Sequence, residues 1–131
     1  MAQFNCLVVD DETDIRELVV LTLERMDIRA DSAANVEEAK ELLAKRSYDL
    51  CLTDMRLPDG LGLDLVEHIS VNYTGLPVAV ITAYGSAENA VSALKAGAFD
   101  YLTKPISLKQ LRPLVESALK LSSSDIKETQ N

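Results

Sequence analysis

The sequence predicts an α/β fold in which five β-α units build a parallel sheet with helices on both faces. Three observations predict it. Short apolar runs without polar alternation, such as Leu50-Cys51-Leu52 and Val78-Ala79-Val80-Ile81, suit strands buried on both faces. Segments with apolar residues at helical spacing lie between these runs. Acids or hydroxyls follow the runs directly, and the carboxyl edge of an open parallel sheet is where ligands bind.

Taken in order, Phe4 to Val9 reads as a first buried strand that runs into Asp10-Asp11-Glu12. Ile15, Leu18, Val19, Leu21, Thr22 and Met26 then recur at helical spacing, and Asp14 with Glu17 three residues on has the form of a capping box, so a helix is expected over 14–26. Ile28 to Ala33 carries Arg29 and Asp31 and suits a strand near an edge. Asn35 precedes a helical face of Val36, Ala39, Leu42 and Leu43. The third strand, Asp49 to Thr53, ends on Asp54, after which Pro58 and Gly60 turn the chain.

Leu63, Leu65, Val66 and Ile69 mark a third helix that stops before 72–75, and Pro77 introduces the strand Val78 to Ile81. That strand ends on Thr82-Ala83-Tyr84-Gly85-Ser86, with Ser86 placed to cap a helix over Ala87 to Lys95. Gly97 fits the left-handed position after that helix, Phe99 to Leu102 is a short fifth strand, and Thr103-Lys104-Pro105 closes it. Ser107 with Gln110 opens a last helix with Leu108, Leu111, Leu114, Val115, Ala118 and Leu119 inward. From Ser122 to Asn131 the composition can bury no face, and this stretch reads as the start of a linker after a domain over 1–121.

The 131 residues suit one domain, and 47% hydrophobic with 26% charged residues is ordinary for a globular protein. A formal net charge of −8, with thirteen basic residues that form no run, opposes direct nucleic-acid contact. No apolar stretch is long enough to cross a membrane, and the first residues lack a basic region followed by an apolar one; a cytoplasmic protein is expected. Cys6 and Cys51 sit inside apolar runs, without metal-ligand spacing, and are expected buried and reduced. His68 lies among polar neighbours and reads as a helix-surface residue.

Parallel strands with right-handed crossovers gather Asp10, Asp11, Asp54, Thr82 and Lys104 on one edge. Each has an ordinary reading alone: a helix cap, a strand end, a solvated charge. Together they form a chemical set. Clustered carboxylates raise one another's pKa unless a cation neutralises them, and oxygen ligands suit Mg²⁺. Lys104 is a compact cation for an oxyanion, the Thr82 hydroxyl can donate to a phosphoryl oxygen, and Asp54 is left as the nucleophile, giving an acyl phosphate.

Over essentially residues 4 to 121 the sequence closely resembles the response-regulator receiver domain. The resemblance rests on Asp10-Asp11-Glu12, on Asp54 followed by Met55-Arg56-Leu57-Pro58-Asp59-Gly60, on Thr82-Ala83, on Ala96-Gly97-Ala98-Phe99-Asp100-Tyr101, and on Lys104-Pro105. The wording of Asp54 to Leu63 and of Ile81 to Pro105 is most similar to receivers of the nitrogen-regulator (NtrC) class, and among those to regulators of type IV fimbriae.

The resemblance implies a flavodoxin-like doubly wound sheet with strand order 2-1-3-4-5. It implies that Asp54 accepts phosphate from a histidine on a sensor kinase, and that Asp11, Asp54 and the Arg56 backbone carbonyl bind Mg²⁺, with Asp10 helping through water. It implies that Thr82 and the Ala83 amide hold phosphoryl oxygens, that Lys104 pairs with the phosphoryl group, that Tyr101 changes rotamer as Thr82 moves inward, and that the Lys104-Pro105 bond is cis. The face of the fourth helix, fifth strand and fifth helix is then expected to serve as a dimer or effector surface. A downstream ATPase that remodels sigma-N RNA polymerase and a DNA-binding domain are implied in the full-length protein. Leu61 departs from the pattern, since related receivers often carry an acid before the residue equivalent to Gly62. Arg56 and Tyr84 are large enough to obstruct an attacking water, so a long-lived phosphoryl group is expected.

Three competing readings are weaker. A phosphohydrolase of the haloacid-dehalogenase type needs a second acid two residues after its nucleophile, where this chain has Arg56. A flavodoxin-type binding module needs a phosphate cradle after its first strand, where Asp10-Asp11-Glu12 would repel one. A purely structural dimerisation domain gives no reason for Asp54, Thr82 and Lys104 together.

Overall fold

The computed structural model describes the backbone of residues 4–83 and 87–130 and the side chains of 4–83 and 88–121; the expected cap Ser86, with Tyr84 and Gly85, falls outside these. Five parallel strands, β1 (Phe4–Val9), β2 (Ile28–Ala33), β3 (Leu50–Asp54), β4 (Val78–Thr82) and β5 (Asp100–Thr103), form one sheet in the order β2-β1-β3-β4-β5. Helices α1 (Thr13–Arg25), α2 (Val36–Lys45), α3 (Gly62–Asn72), α4 (Ala87–Ala96) and α5 (Leu108–Gln130) alternate with them. This is the flavodoxin-like topology that the resemblance implies.

Side chains alternate across a pleated sheet, so parity decides which layer each residue meets. Cys6, Val8, Leu50, Leu52, Ala79, Ile81 and Leu102 pack with Val19 and Leu23 of α1 and Leu111, Leu114, Val115 and Ala118 of α5. Leu7, Val9, Cys51, Val78 and Val80 pack on the other face with Val36, Ala39 and Leu43 of α2, Leu65, Val66 and Ile69 of α3, and Ala93 of α4. Cys6 and Cys51 therefore lie on opposite faces, both free and buried. Burial pushes both thiols up, Cys51 to about 12, which keeps them protonated and inert.

Several boundaries shift by one residue from the sequence expectation, and two differences have a physical reason. Helix α1 begins at Thr13, with Glu12 in the extended capping position and no side-chain cap, so Asp14 and Glu17 form no capping box. The physical reason is Asp10, whose carboxylate accepts the Glu12 N–H at 2.8 Å and turns the chain early. The last helix also continues beyond Leu121 to Gln130. Residues 122–130 hold no glycine or proline, and extending a formed helix costs far less than nucleating one. Asn35 does cap α2, its Oδ1 accepting the Glu38 N–H at 2.8 Å, and Gly97 does take a left-handed backbone, with φ of 117°.

Between β3 and α3 the chain makes a miniature hairpin, Arg56–Leu57 pairing antiparallel with Gly60–Leu61, closed at its base by the Gly62 N–H donating to the Met55 carbonyl at 2.7 Å. A side chain on Gly62 would collide with the Asp54 backbone carbonyl and lie 3.1 Å from the Met55 Cα, neither of which can retreat without moving the β3 terminus. Gly62→Ala is therefore expected to cost about 1–3 kcal/mol in urea denaturation. The control is Gly60→Ala, whose added carbon meets side-chain atoms at ordinary contact distance, Val36 Cγ2 at 3.4 Å and Asp64 Oδ2 at 3.6 Å. Equal midpoints for the two variants would contradict this reading of the hairpin base.

Candidate functional site

The backbone ladder places the candidate residues. The Asp10 N–H donates to the Ala33 carbonyl at 3.1 Å, extending β1 past its last residue, and Arg16 of α1 donates from Nη1 to the Asp10 carbonyl at 2.7 Å. Asp54 stands opposite Ile81, and the Met55 N–H donates to the Ile81 carbonyl at 3.1 Å. The Lys104 N–H donates to the Thr82 carbonyl at 2.8 Å, and the Lys104-Pro105 bond is cis. Asp10, Asp54 and Lys104 continue the parity of Val8, Leu52 and Leu102, so all three reach the same side of the sheet edge.

There the Lys104 ammonium lies 2.8 Å from Glu12 Oε1, 3.0 Å from Asp54 Oδ2 and 3.4 Å from Asp10 Oδ2. Carboxylate oxygens of Asp10, Asp11, Glu12 and Asp54 lie within 4.8 Å of one another. Asp10 is fully buried, and its Oδ2 has no hydrogen-bond partner. The Lys104 contact at 3.4 Å is an ion pair of poor geometry rather than a satisfied bond. Burial pushes the Asp10 carboxyl up, the Glu12 amide opposes this, and neighbouring Asp54 adds to the rise. Burial would lower Lys104, but its hydrogen bonds to Glu12 and Asp54 outweigh that, so its ammonium is held more firmly than usual.

One ammonium thus faces four carboxyl groups. An orphaned buried oxygen beside hard oxygen donors fits a small divalent cation, which would take up the uncompensated charge. The cleft here has a volume of about 490 Å³ and is lined by Asp11, Glu12, Asp54, Met55, Arg56, Ala83, Asn89 and Lys104.

Asp10, Asp11, Asp54, Arg56, Ala83 and Lys104 are thus brought together. Thr82 is not on the cleft wall: it has the parity of Val78 and Val80, is fully buried, and its hydroxyl donates only weakly, at 3.4 Å, to the Ala83 carbonyl. Tyr101 sits opposite Val80 on the edge strand, 40% exposed and away from the cleft. Two polar lining residues were missed in the sequence, besides the apolar Met55. Glu12 stood in the quoted acidic triplet but was given no separate role, and its proximity to Lys104 spans 92 positions. Asn89 is a polar residue on an amphipathic helix, with no local signal to mark it.

The family of the response regulator receiver domain matches residues 6–116. This chain belongs to that family. The receiver is 58% identical over 128 residues to the response regulator protein PilR of Pseudomonas aeruginosa, covering 98% of this chain and 29% of that protein. It is 38% identical over 112 residues to the DNA-binding transcriptional regulator NtrC of Escherichia coli, covering 86% of this chain and 24% of that protein. The beryllofluoride-activated NtrC4 receiver domain dimer superposes with a TM-score of 0.85 at 31% identity, covering 90% of this chain and 98% of that one. The receiver therefore spans under a third of the length of the curated relatives it matches, and the likeness to the NtrC class and to PilR is borne out. It is a signalling switch by family, and no helix among the described residues is long and apolar enough to cross a membrane.

Because Asp10 holds its proton to a higher pH in the folded chain than in the unfolded one, its ionisation costs the fold stability above that range. Asp10→Asn, which keeps an acceptor for the Glu12 N–H, is expected to stabilise the metal-free receiver by about 0.5–2 kcal/mol at neutral pH. The gain should shrink as pH falls and wild-type Asp10 also becomes neutral. Urea midpoints measured across pH check this, and a gain that grows on acidification would contradict it.

Proposed function

We propose that this receiver is the phosphoacceptor switch of a two-component system, with Asp54 phosphorylated by a histidine of a sensor kinase. The observation that carries the reading is the Lys104 ammonium 3.0 Å from Asp54 Oδ2, in a cleft also lined by the acids Asp11 and Glu12 and by Arg56. A carboxylate there is held at a strand terminus and open to an incoming donor. An Asp54 oxygen attacks phosphorus, the O–P bond forms as the P–N bond of the phosphohistidine breaks, and the electron pair leaves with the imidazole nitrogen.

Asp11, Asp54 and the Arg56 backbone carbonyl would hold Mg²⁺, with Asp10 acting through water. The bound ion supplies charge neutralisation for the acids and the transferring oxygens. Lys104 exchanges its carboxylate partner for a phosphoryl oxygen, and the Ala83 N–H donates to another. The Thr82 hydroxyl, only weakly engaged with the Ala83 carbonyl, turns toward the phosphoryl group, and the space it leaves admits Tyr101 from the surface.

The readout is the face of α4, β5 and α5. It exposes Val91 (51%), Leu94 (43%), Tyr101 (40%) and Leu108 (41%), four large apolar side chains whose joint exposure suits a partner surface. The dimer of the activated NtrC4 receiver supports a second copy as that partner. The domain over 1–121 is followed by a linker beginning within residues 122–131, carried here on the extended α5. In the full-length protein it leads to an ATPase that acts on sigma-N polymerase and to a DNA-binding domain, in a cytoplasmic regulator of type IV pilus expression, as the likeness to PilR supports. The receiver itself contacts neither nucleic acid nor membrane.

Incubation with acetyl phosphate and Mg²⁺ should add the mass of one phosphoryl group to the intact protein. Asp54→Asn should add none, and omission of the metal should greatly slow the gain. An equal gain in Asp54→Asn would overturn the assignment.

A further inference from the structure

Asp59 stands at the tip of the miniature hairpin, five positions after the phosphoacceptor, and the site described above does not use it. Its two oxygens are both engaged: Oδ1 accepts the Val36 N–H at 2.8 Å and Oδ2 accepts the Glu37 N–H at 3.0 Å. These are the first two amides of α2, 22 and 23 positions earlier in the chain. The third, that of Glu38, is already taken locally by Asn35. Helix α2 thus has a cap of its own, and Asp59 adds a long-range tie between the amino end of that helix and the hairpin tip.

The tie runs through a stiff segment. Arg56–Leu57 and Gly60–Leu61 pair with each other, and the Gly62 N–H locks the base to the Met55 carbonyl at 2.7 Å, one residue from Asp54. Met55 and Leu57 are buried in the same apolar cluster as Val36 and Ala39 of α2, so apolar packing and the carboxylate act on one contact. At the α3 end no side-chain cap adds to that backbone lock. Leu61, at the cap position of α3, offers no acceptor, and Asp64 accepts the Leu61 N–H only at 3.4 Å. The two α2 amides hold the Asp59 carboxyl below the usual carboxylate range, so it stays ionised at the positive end of the α2 dipole.

We propose that Asp59 is a positioning residue for the phosphoryl site: by clamping the hairpin tip to the amino end of α2, it fixes the hairpin that carries Arg56 to the cleft. The inference rests on the phosphoryl-transfer reading only for the identity of the ligand, Mg²⁺. A hairpin free at its tip can swing about its base and present the Arg56 carbonyl in many orientations, which weakens any ion that depends on it. Loss of groups that orient a metal's ligands costs about 10–100-fold in affinity.

The test compares Asp59→Ala with Asn35→Ala, which removes a cap from the same helix without touching the hairpin. Thermal unfolding matches the two for stability. Amide exchange of the Gly62 N–H in metal-free protein should speed up in Asp59→Ala and stay near wild type in Asn35→Ala. Mg²⁺ affinity by calorimetry should fall roughly tenfold in Asp59→Ala alone, at the lower end of that range. Asp59→Asn, which keeps one acceptor oxygen, should recover part of both. Equal Gly62 exchange and equal Mg²⁺ affinity in the two alanine variants would overturn the proposal and reduce Asp59 to a second helix cap. If wild type takes up neither Mg²⁺ nor phosphate, the functional reading fails, while the Gly62 exchange difference still decides whether the clamp exists.

Discussion

A single ammonium set among carboxylates that the sheet forces together is the constraint on which the rest of this receiver depends. Parallel strands end on one edge, and the pleat sends Asp10, Asp54 and Lys104 to one side of it, so like charges meet whether or not the fold gains from it. Lys104 cannot retreat, because its own N–H extends the ladder onto the Thr82 carbonyl. Asp10 cannot retreat either, fixed through Ala33, Glu12 and Arg16. A fully buried carboxylate oxygen without a hydrogen bond is a local defect in a well-satisfied structure, and such defects concentrate where a ligand completes the site.

The same parity separates chemistry from response. Ala83 belongs to the side of the sheet that carries the charges, and Thr82 to the side that faces α3 and α4, so two adjacent residues join the cleft to the opposite layer. In the proposed switch, a pull on Thr82 would act toward the face where Val91, Leu94 and Tyr101 are exposed. On the other flank, the hairpin after Asp54 is seated against α2 by Met55, Leu57 and Asp59. The charged site on the α1/α5 side is thus braced from the α2 side through the backbone of β3.

Much of this was legible in the sequence because the strands are unbroken apolar runs and their ends carry chemically distinctive residues. Gly97 announced its left-handed backbone, and Asn35 its cap, by residue type alone. The start of α1 falls one residue earlier than expected because Asp10, whose reading as a helix cap was set below its place in the site, does turn the chain there. Thr82 was expected on the cleft wall because strand ends were gathered by edge and not sorted by parity, although the alternation from Val78 to Thr82 contained that information. Glu12 with Lys104, and Asp59 with Val36 and Glu37, could not be read, since each depends on side-chain reach between segments far apart in the chain.

The convergence of Lys104 with the acids is tested most directly by the Mg²⁺ affinity of Lys104→Met, measured by calorimetry on protein shown to be folded. A unit positive charge a few ångströms from a divalent ion opposes its binding by more than 1 kcal/mol even with strong solvent screening. If Lys104 shares the acidic cluster, its removal should tighten Mg²⁺ by roughly tenfold or more. Unchanged affinity in Lys104→Met, with the wild type binding Mg²⁺, would place the lysine outside the cluster and contradict the account.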